Sequence, residues 1–417
     1  MSLRKMDAYR VYLVMTGAMA LFFTLIFTVN LIYQAQKVGL SPLQLVLVGT
    51  TLELSVFLFE IPTGVVADVY SRRLSIIIGF LFVGVGFLVE GLVPTFASIL
   101  LGQVLWGLGY TFTSGAVEAW ITDEIGEEKV GRAFLRGSQV GSLVGLAGTV
   151  IGVALGSLLI NLPIVLGGAL FLALAVFLML FMPENGFQPK SREERSSWGH
   201  MADTLRQGLR LVRGRPALWT ILGIGLFYGL FSEGVDRLWM KFMLDTFAFP
   251  TWGGFQPVVW FGLLGMVSRL LSALATQVVV KRVKTENPAA LARVGLATSG
   301  MMVTCIAGLA LSGSLLVAVL FNLGFSVLRS IIDPIYTTWL NRNIDSDVRA
   351  TVISMSGQVD AFGQIAGGPV VGVIGNLSIR AALLASSAIL SPTIYLYGRA
   401  LRREPQAAVV PVMGEPS

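Results

Sequence analysis

Between Asp7 and Arg403 the sequence is a train of about twelve apolar stretches, each roughly long enough to cross the ~30 Å hydrocarbon core of a bilayer. A chain in that solvent must satisfy its own backbone N–H and C=O groups, which leaves only α-helices or a closed barrel. The stretches run for twenty residues or more without alternation of period two, so helices are expected. Apolar residues make up 54% of the chain and charged residues 13%, so its bulk has lipid for solvent.

The spans read as 11–34, 43–67, 74–94, 97–121, 134–160 and 163–182, then 217–243, 254–280, 289–311, 314–339, 351–374 and 379–398. The first is too long for a signal-peptide core and lacks a small-residue cleavage pattern, so it reads as a retained helix. An even number of spans puts both termini on one side. Cations mark that side as cytoplasmic: Arg4, Lys5, Arg72, Arg73, Lys129, Arg132, Lys281, Arg282, Lys284, Arg342, Arg349, Arg399, Arg402 and Arg403 crowd alternate connections, whereas the opposite loops hold Lys37 and Arg380. That placement also argues for membrane topology over a nucleic-acid partner as the reason for the basic excess.

The expected organisation is a six-helix bundle over 1–182, a cytoplasmic linker over 183–215, a second six-helix bundle over 216–400 and a disordered tail over 401–417. In the linker, Trp198, Met201, Leu205, Leu209 and Val212 recur at helical spacing opposite Arg206, Arg210 and Arg213. This fits a helix lying in the membrane surface, and equally a solvated charged linker. The halves repeat. Gly109-Tyr-Thr aligns with Gly324-Phe-Ser and Glu118 with Asp333; after two-residue slips, Arg132-Ala133 meets Arg349-Ala350 and Gln139-Val140 meets Gln358-Val359.

The connection after the second span reads Gly64-Val-Val-Ala-Asp68-Val-Tyr-Ser-Arg72-Arg73. Gly64 lets the helix end against a neighbouring backbone, Asp68 suits a helix N-terminus, and Arg72 and Arg73 can pair with carboxylates, together making a breakable latch. The spacing G-x-x-x-D-x-x-x-R-R/K resembles the signature loop of the major facilitator superfamily. That resemblance implies twelve helices in two pseudo-symmetric bundles related as parallel repeats, with Asp123 and the start of the eleventh helix as latch partners. Glu60-Ile-Pro-Thr-Gly64, Glu118-Ala-Trp120 and Ser232-Glu-Gly-Val-Asp236-Arg-Leu-Trp239 resemble its bacterial drug-efflux branch, the tetracycline and macrolide exporters. Two features depart from that branch. Gln103 precedes Gly107 where many drug:proton antiporters carry arginine, and the fifth span has a stripe of Gly141, Gly145, Gly148, Gly152 and Gly156 without proline.

Charges inside the spans cost about 2.5–3.5 kcal/mol each at mid-bilayer, so they must face a cavity or a partner. Glu53 and Glu60 share a face of the second helix; Glu233 and Asp236 lie in the seventh with Arg237 and Lys241; Arg269, Arg329, Asp333 and Asp360 complete the set. Asp236 with Arg237 and Arg329 with Asp333 are candidate structural ion pairs. Glu53 has no cation near it in sequence and is the leading proton carrier, followed by Glu60, Glu233 and Asp360. Phe27, Phe57, Trp106, Phe227 and Phe231, with Asp236, Arg329 and Asp333, are the candidate substrate cavity. Such a lining suits amphipathic or cationic organic molecules through stacking and cation–π contact, while core packing explains any single ring as well.

One histidine, His200, and one cysteine, Cys305, assemble neither a metal cluster nor a nucleophilic pair, and there is no phosphate-binding Gly-Lys loop. No enzyme activity, cofactor or metal is expected, and an ion gradient is left as the energy source. The reading is a monomeric transporter of a bacterial inner membrane, exporting lipophilic drugs in exchange for protons by alternating access. Its rivals are a symporter or facilitator importing a small nutrient, and a lipid flippase or membrane sensor on the same scaffold.

Overall fold

The computed structural model describes residues 6–189, 216–250, 256–283, 286–342, 344 and 349–403. The expected linker helix with His200 and the expected disordered tail beyond residue 403 lie outside them. Among the described residues twelve helical rods follow in order: α1 Ala8–Lys37, α2 Pro42–Val69, α3 Arg72–Leu92, α4 Phe96–Ile125, α5 Glu127–Leu158, α6 Leu162–Phe181, α7 Pro216–Thr246, α8 Pro257–Arg282, α9 Pro288–Leu311, α10 Leu315–Arg342, α11 Arg349–Leu377 and α12 Ile379–Arg402. All but α11 are apolar and long enough to cross a membrane. The exception is long enough but is diluted by Gln358, Asp360, Gln364 and its glycines.

Local chemistry sets the helix ends. Ser41 and Gln44 form a capping box ahead of Pro42, and Thr95 and Ser98 form another at α4. Ser71 caps α3, and Asn287 caps α9 before Pro288. Gly115, at φ 70°, interrupts α4 with a left-handed residue before the helix resumes at Ala116. The expected fourth and fifth spans are shorter than α4 and α5 because hydropathy registers only the part in lipid. Hydrogen bonding carries α4 on to Ile125 and starts α5 at Glu127, through polar turns.

The chain divides into two compact units, the first comprising Met1–Asp203, Asp236–Met266 and Gly368–Ile379. Within it, glycines let backbones touch. A Cβ on Gly79 would sit 2.7 Å from the Gly109 carbonyl oxygen, and one on Gly86 would sit 2.8 Å from that of Gly102, so the backbones of α3 and α4 come close at these glycines. The glycine stripe of α5 serves the same end against α1: Cβ atoms at Gly148 and Gly152 would lie 2.8 and 3.0 Å from the carbonyl oxygens of Leu21 and Leu25. Segments from late in the chain join this unit at the helix ends poor in cations. Leu43 N donates to Asn376 Oδ1 at 3.0 Å, and Gln256 Nε2 donates to the Ser157 carbonyl at 3.0 Å.

The second unit comprises Thr204–Val235, Val267–Gly367 and Arg380–Ser417. Its core is apolar, with Ile221, Ile224, Trp339, Val352 and Tyr397 in one cluster and Phe231, Met302, Ile306 and Phe325 in another. Buried hydroxyls are matched to one another: Tyr228 to Ser299 at 2.9 Å and Tyr336 to Ser356 at 3.0 Å. Gly363 lets α11 approach the α7 backbone, with Leu226 O 2.7 Å from where a Cβ would stand. Leu270, Leu274, Val278 and Val280 of α8 stay exposed, the kind of face a helix turns to lipid.

Candidate functional site

Three sets of functional side chains emerge, two in the first unit and one in the second. The first is the motif-bearing loop between α2 and α3. Ser71 leaves the chain extended and starts α3, so Arg72 and Arg73 fall in the helix's first turn. Arg72 Nη1 forms an ion pair with Asp123 Oδ2 and also donates to the Ala119 carbonyl at 2.9 Å. Its guanidinium lies 5.8 Å from the Phe187 ring centroid. The two charged side chains are 13% and 25% exposed, so this is a shielded pair. Arg73 Nη2 donates to the Met179 carbonyl at 2.6 Å.

Glu184, which sequence reasoning missed, joins this loop. It accepts from Ser71 Oγ at 2.7 Å and from Arg73 N at 2.8 Å, placing a carboxylate at the positive end of α3. Its neighbours hold it there: Trp120 Nε1 donates to the Pro183 carbonyl at 2.8 Å, and Gly186 N donates to Glu124 Oε1 at 2.7 Å. Glu184 follows the sixth span in what reads as a linker, so only its distance in sequence concealed it. Asp68 sits half-buried in the last turn of α2. Gly64 does not end α2, which runs through it to Val69, and among the described residues nothing stands within 4 Å of a Cβ built there.

The second set is a cavity of about 590 Å³ in the first unit, lined by Tyr12, Thr16, Met19, Ala20, Phe23, Phe80, Val83, Tyr110, Thr113, Ser114, Gly115, Val117 and Glu118. Glu118 is the one carboxylate among these residues. Phe23 connects the cavity to a ring cluster, stacking on Phe27 at 5.7 Å between centroids, while Trp106 lies 5.2 Å from Phe27 and 5.4 Å from Phe87. Of the expected aromatics, Phe27 and Trp106 thus support the wall, whereas Phe57 on α2 is not among the lining residues.

The third set lines a cavity of about 290 Å³ in the second unit: Tyr228, Phe231, Ser232, Met302, Arg329, Ile332, Asp333, Asp360 and Gln364. Three expected charges, Arg329, Asp333 and Asp360, come together here from α10 and α11. Gln364 Nε2 donates to Asp360 Oδ2 at 2.8 Å. The Arg329 guanidinium lies 5.8 Å from the Phe231 centroid and 5.9 Å from that of Phe325. One arginine against two aspartates leaves the lining formally at −1. Phe227 is half-buried on α7 outside this lining, Glu233 is buried one turn further along, and Asp236 belongs to the first unit. Glu53 is half-buried on α2 and Glu60 exposed on it.

Glu90 is absent from the intramembrane charges that the sequence singles out. It lies one turn from the end of its span, where a carboxylate is ordinarily solvated, yet in the structure it has no exposed surface. Three amides, Asn30, Gln34 and Gln103, donate to it. The signal available in the sequence was the scarcity of such amides in the spans.

The fold has counterparts in known proteins. A single-site mutant of the nucleoside transporter NupG matches with TM-score 0.76 at 14% identity, covering 94% of this chain and 99% of that one. A bacterial homolog of the human lysosomal transporter Spinster, in an inward-facing, unoccupied conformation, matches with TM-score 0.73 at 16% identity over 95% and 98%. In sequence, the chain is 24% identical over 357 residues to an uncharacterized MFS-type transporter, YxaM, of Bacillus subtilis (strain 168), covering 85% of this chain and 86% of YxaM. The family model of the Major Facilitator Superfamily matches residues 11–368. With an all-helical fold, an Arg72–Asp123 ion pair at the motif's own position and a family match over most of its length, the chain belongs to the major facilitator superfamily of membrane transporters.

Proposed function

We propose that the chain exports lipophilic, amphipathic organic molecules, cationic ones above all, in exchange for protons. The observation that carries this reading is the chemistry of the two cavities. One is walled by aromatic and methionine side chains around Glu118; the other holds two aspartates against one arginine, beside Phe231 and Tyr228. Apolar walls take up the body of such a molecule, while rings and surplus carboxylate favour its positive charge. Asp360, Glu233, Glu53 and Glu60 are the carboxylates available for proton exchange on α11, α7 and α2. The latch of Asp68, Arg72, Arg73, Asp123 and Glu184 would hold one face of the protein until the halves rock. The same reading sets both termini in the cytoplasm of a bacterial cell and the chain in its inner membrane as a monomer.

Arg329 favours a second reading, uptake of a small organic anion in symport, since a guanidinium beside an apolar wall suits a carboxylate. Resistance and dye accumulation in an efflux-deficient host separate the two. Export predicts lower accumulation of lipophilic cations with wild type, lost in Glu53→Gln and Asp68→Asn. Unchanged accumulation of such compounds, with proton-linked uptake of organic acids instead, would replace export by import.

A further inference from the structure

Glu90 stands at the end of α3 with none of its surface exposed, and side-chain amides supply the hydrogen bonds to its carboxylate. Asn30 Nδ2 donates to Oε1 at 2.9 Å, Gln34 Nε2 donates to the same oxygen at 2.7 Å, and Gln103 Nε2 donates to Oε2 at 3.2 Å. Gln34 Nε2 also reaches Asn30 Oδ1 at 2.7 Å, tying the two α1 amides together. The Tyr33 hydroxyl donates to the Glu90 backbone carbonyl at 2.8 Å, and Arg237 of α7 acts on the carboxylate through space. A buried carboxylate held by amide donors is costly as an ion.

The amides are themselves incompletely matched. Gln34 Oε1 and Gln103 Oε1 are both buried without a donor, in side chains 0% and 1% exposed. Two acceptors of the cluster thus lack a donor while the carboxylate is ionised. One proton on Glu90 supplies a donor to this group of oxygens. It makes Oε2 a donor, and turning the Gln103 amide about its last torsion presents Oε1 to that hydrogen. The same side chains thus provide one arrangement for the carboxylate and another for the acid, without backbone movement. An arginine at position 103 would forbid the second arrangement, because a guanidinium has donors only. Packing is close here: a Cβ built on Gly102 would stand 3.3 Å from Glu90 Cβ and 3.6 Å from Oε2. A proton needs no void, whereas a metal ion needs room for several oxygen ligands.

We propose that Glu90 is a proton-binding site of this transporter, with Asn30, Gln34 and Gln103 as positioning residues that satisfy both its ionised and its protonated form. Its part in transport rests on the proton being the coupling ion, as argued above; proton binding itself depends on neither substrate nor direction of transport. Infrared difference spectroscopy of the full chain in lipid nanodiscs, stepped in pH without substrate, tests it. A carbonyl-stretch band of a protonated carboxyl appears as the pH is lowered, is lost in Glu90→Gln and persists in Glu53→Gln. Gln103→Met, which leaves Glu90 in place, shifts the frequency of that band by removing its hydrogen-bond partner. Absence of any band lost in Glu90→Gln overturns the proposal, as does an unshifted band in Gln103→Met. Displacement of the band by sodium at constant pH overturns it in favour of a metal-cation site. A titrating Glu90 in a protein without proton-linked export would refute the export reading alone; export with a silent Glu90 would refute this one alone.

Discussion

Removing the Asp123 carboxylate should loosen the latch by an amount the structure allows to be worked out. Arg72 and Asp123 are 13% and 25% exposed, between the exposed ion pairs worth about 0.2–1 kcal/mol and the buried ones whose disruption costs about 3–5 kcal/mol. Arg72 retains the Ala119 carbonyl at 2.9 Å and the Phe187 ring after the change, so its charge is not stranded. Asp123→Ala should therefore cost about 2 kcal/mol, and Asp123→Asn, which keeps an acceptor, about 1 kcal/mol. A double-mutant cycle with Arg72→Ala isolates the pair, and a coupling of about 1.5 kcal/mol is expected for groups in direct contact. Reversible unfolding in mixed detergent micelles containing dodecyl sulfate supplies the free energies. Coupling indistinguishable from zero, with both single variants destabilised, would mean that Arg72 and Asp123 act separately, and the latch would have to be rebuilt around Glu184.

Other changes give equally distinct outcomes. Glu184→Ala strips two acceptors from the start of α3 and should cost about 1–3 kcal/mol in the same unfolding assay, whereas Glu184→Gln should recover much of it. Gly148→Val drives a side chain toward the Leu21 carbonyl and should destabilise by about 1–3 kcal/mol, while Gly131→Ala, with nothing within 4 Å, should be neutral or stabilising. Trp120→Phe leaves the Pro183 carbonyl without its indole donor and should cost about 1–2 kcal/mol, read as a lower midpoint of thermal unfolding. Arg329→Gln takes the cation from the smaller cavity; in direct binding assays it should tighten lipophilic cations and weaken organic anions, and the reverse order would refute the charge logic of that lining.

Hydropathy made the helices legible because lipid leaves the backbone no other partner, and the motif between α2 and α3 located Arg72, with Asp123 implied as its partner by the family resemblance. Glu184 and Glu90 were not legible. Each gains its role from groups on other helices that no motif ties to it, Glu184 from Ser71 and Arg73, Glu90 from Asn30 and Gln103. The cavity in the second unit was half legible, since a charge placed inside a span demands a partner; that demand picked out Arg329, Asp333 and Asp360 but could not say that Phe227 and Asp236 fall outside their lining. Gly64 shows the converse error, a glycine whose motif position implied a helix end, whereas α2 runs through it to Val69.

Purified protein in proteoliposomes with an acidic lumen, loaded with a fluorescent pH indicator, puts proton-linked export to its most direct test. Addition of a lipophilic cation should bring accumulation of the cation and alkalinisation of the lumen together, both abolished by a protonophore. Proton and cation moving in the same direction, or cation uptake indifferent to the pH gradient, would contradict it.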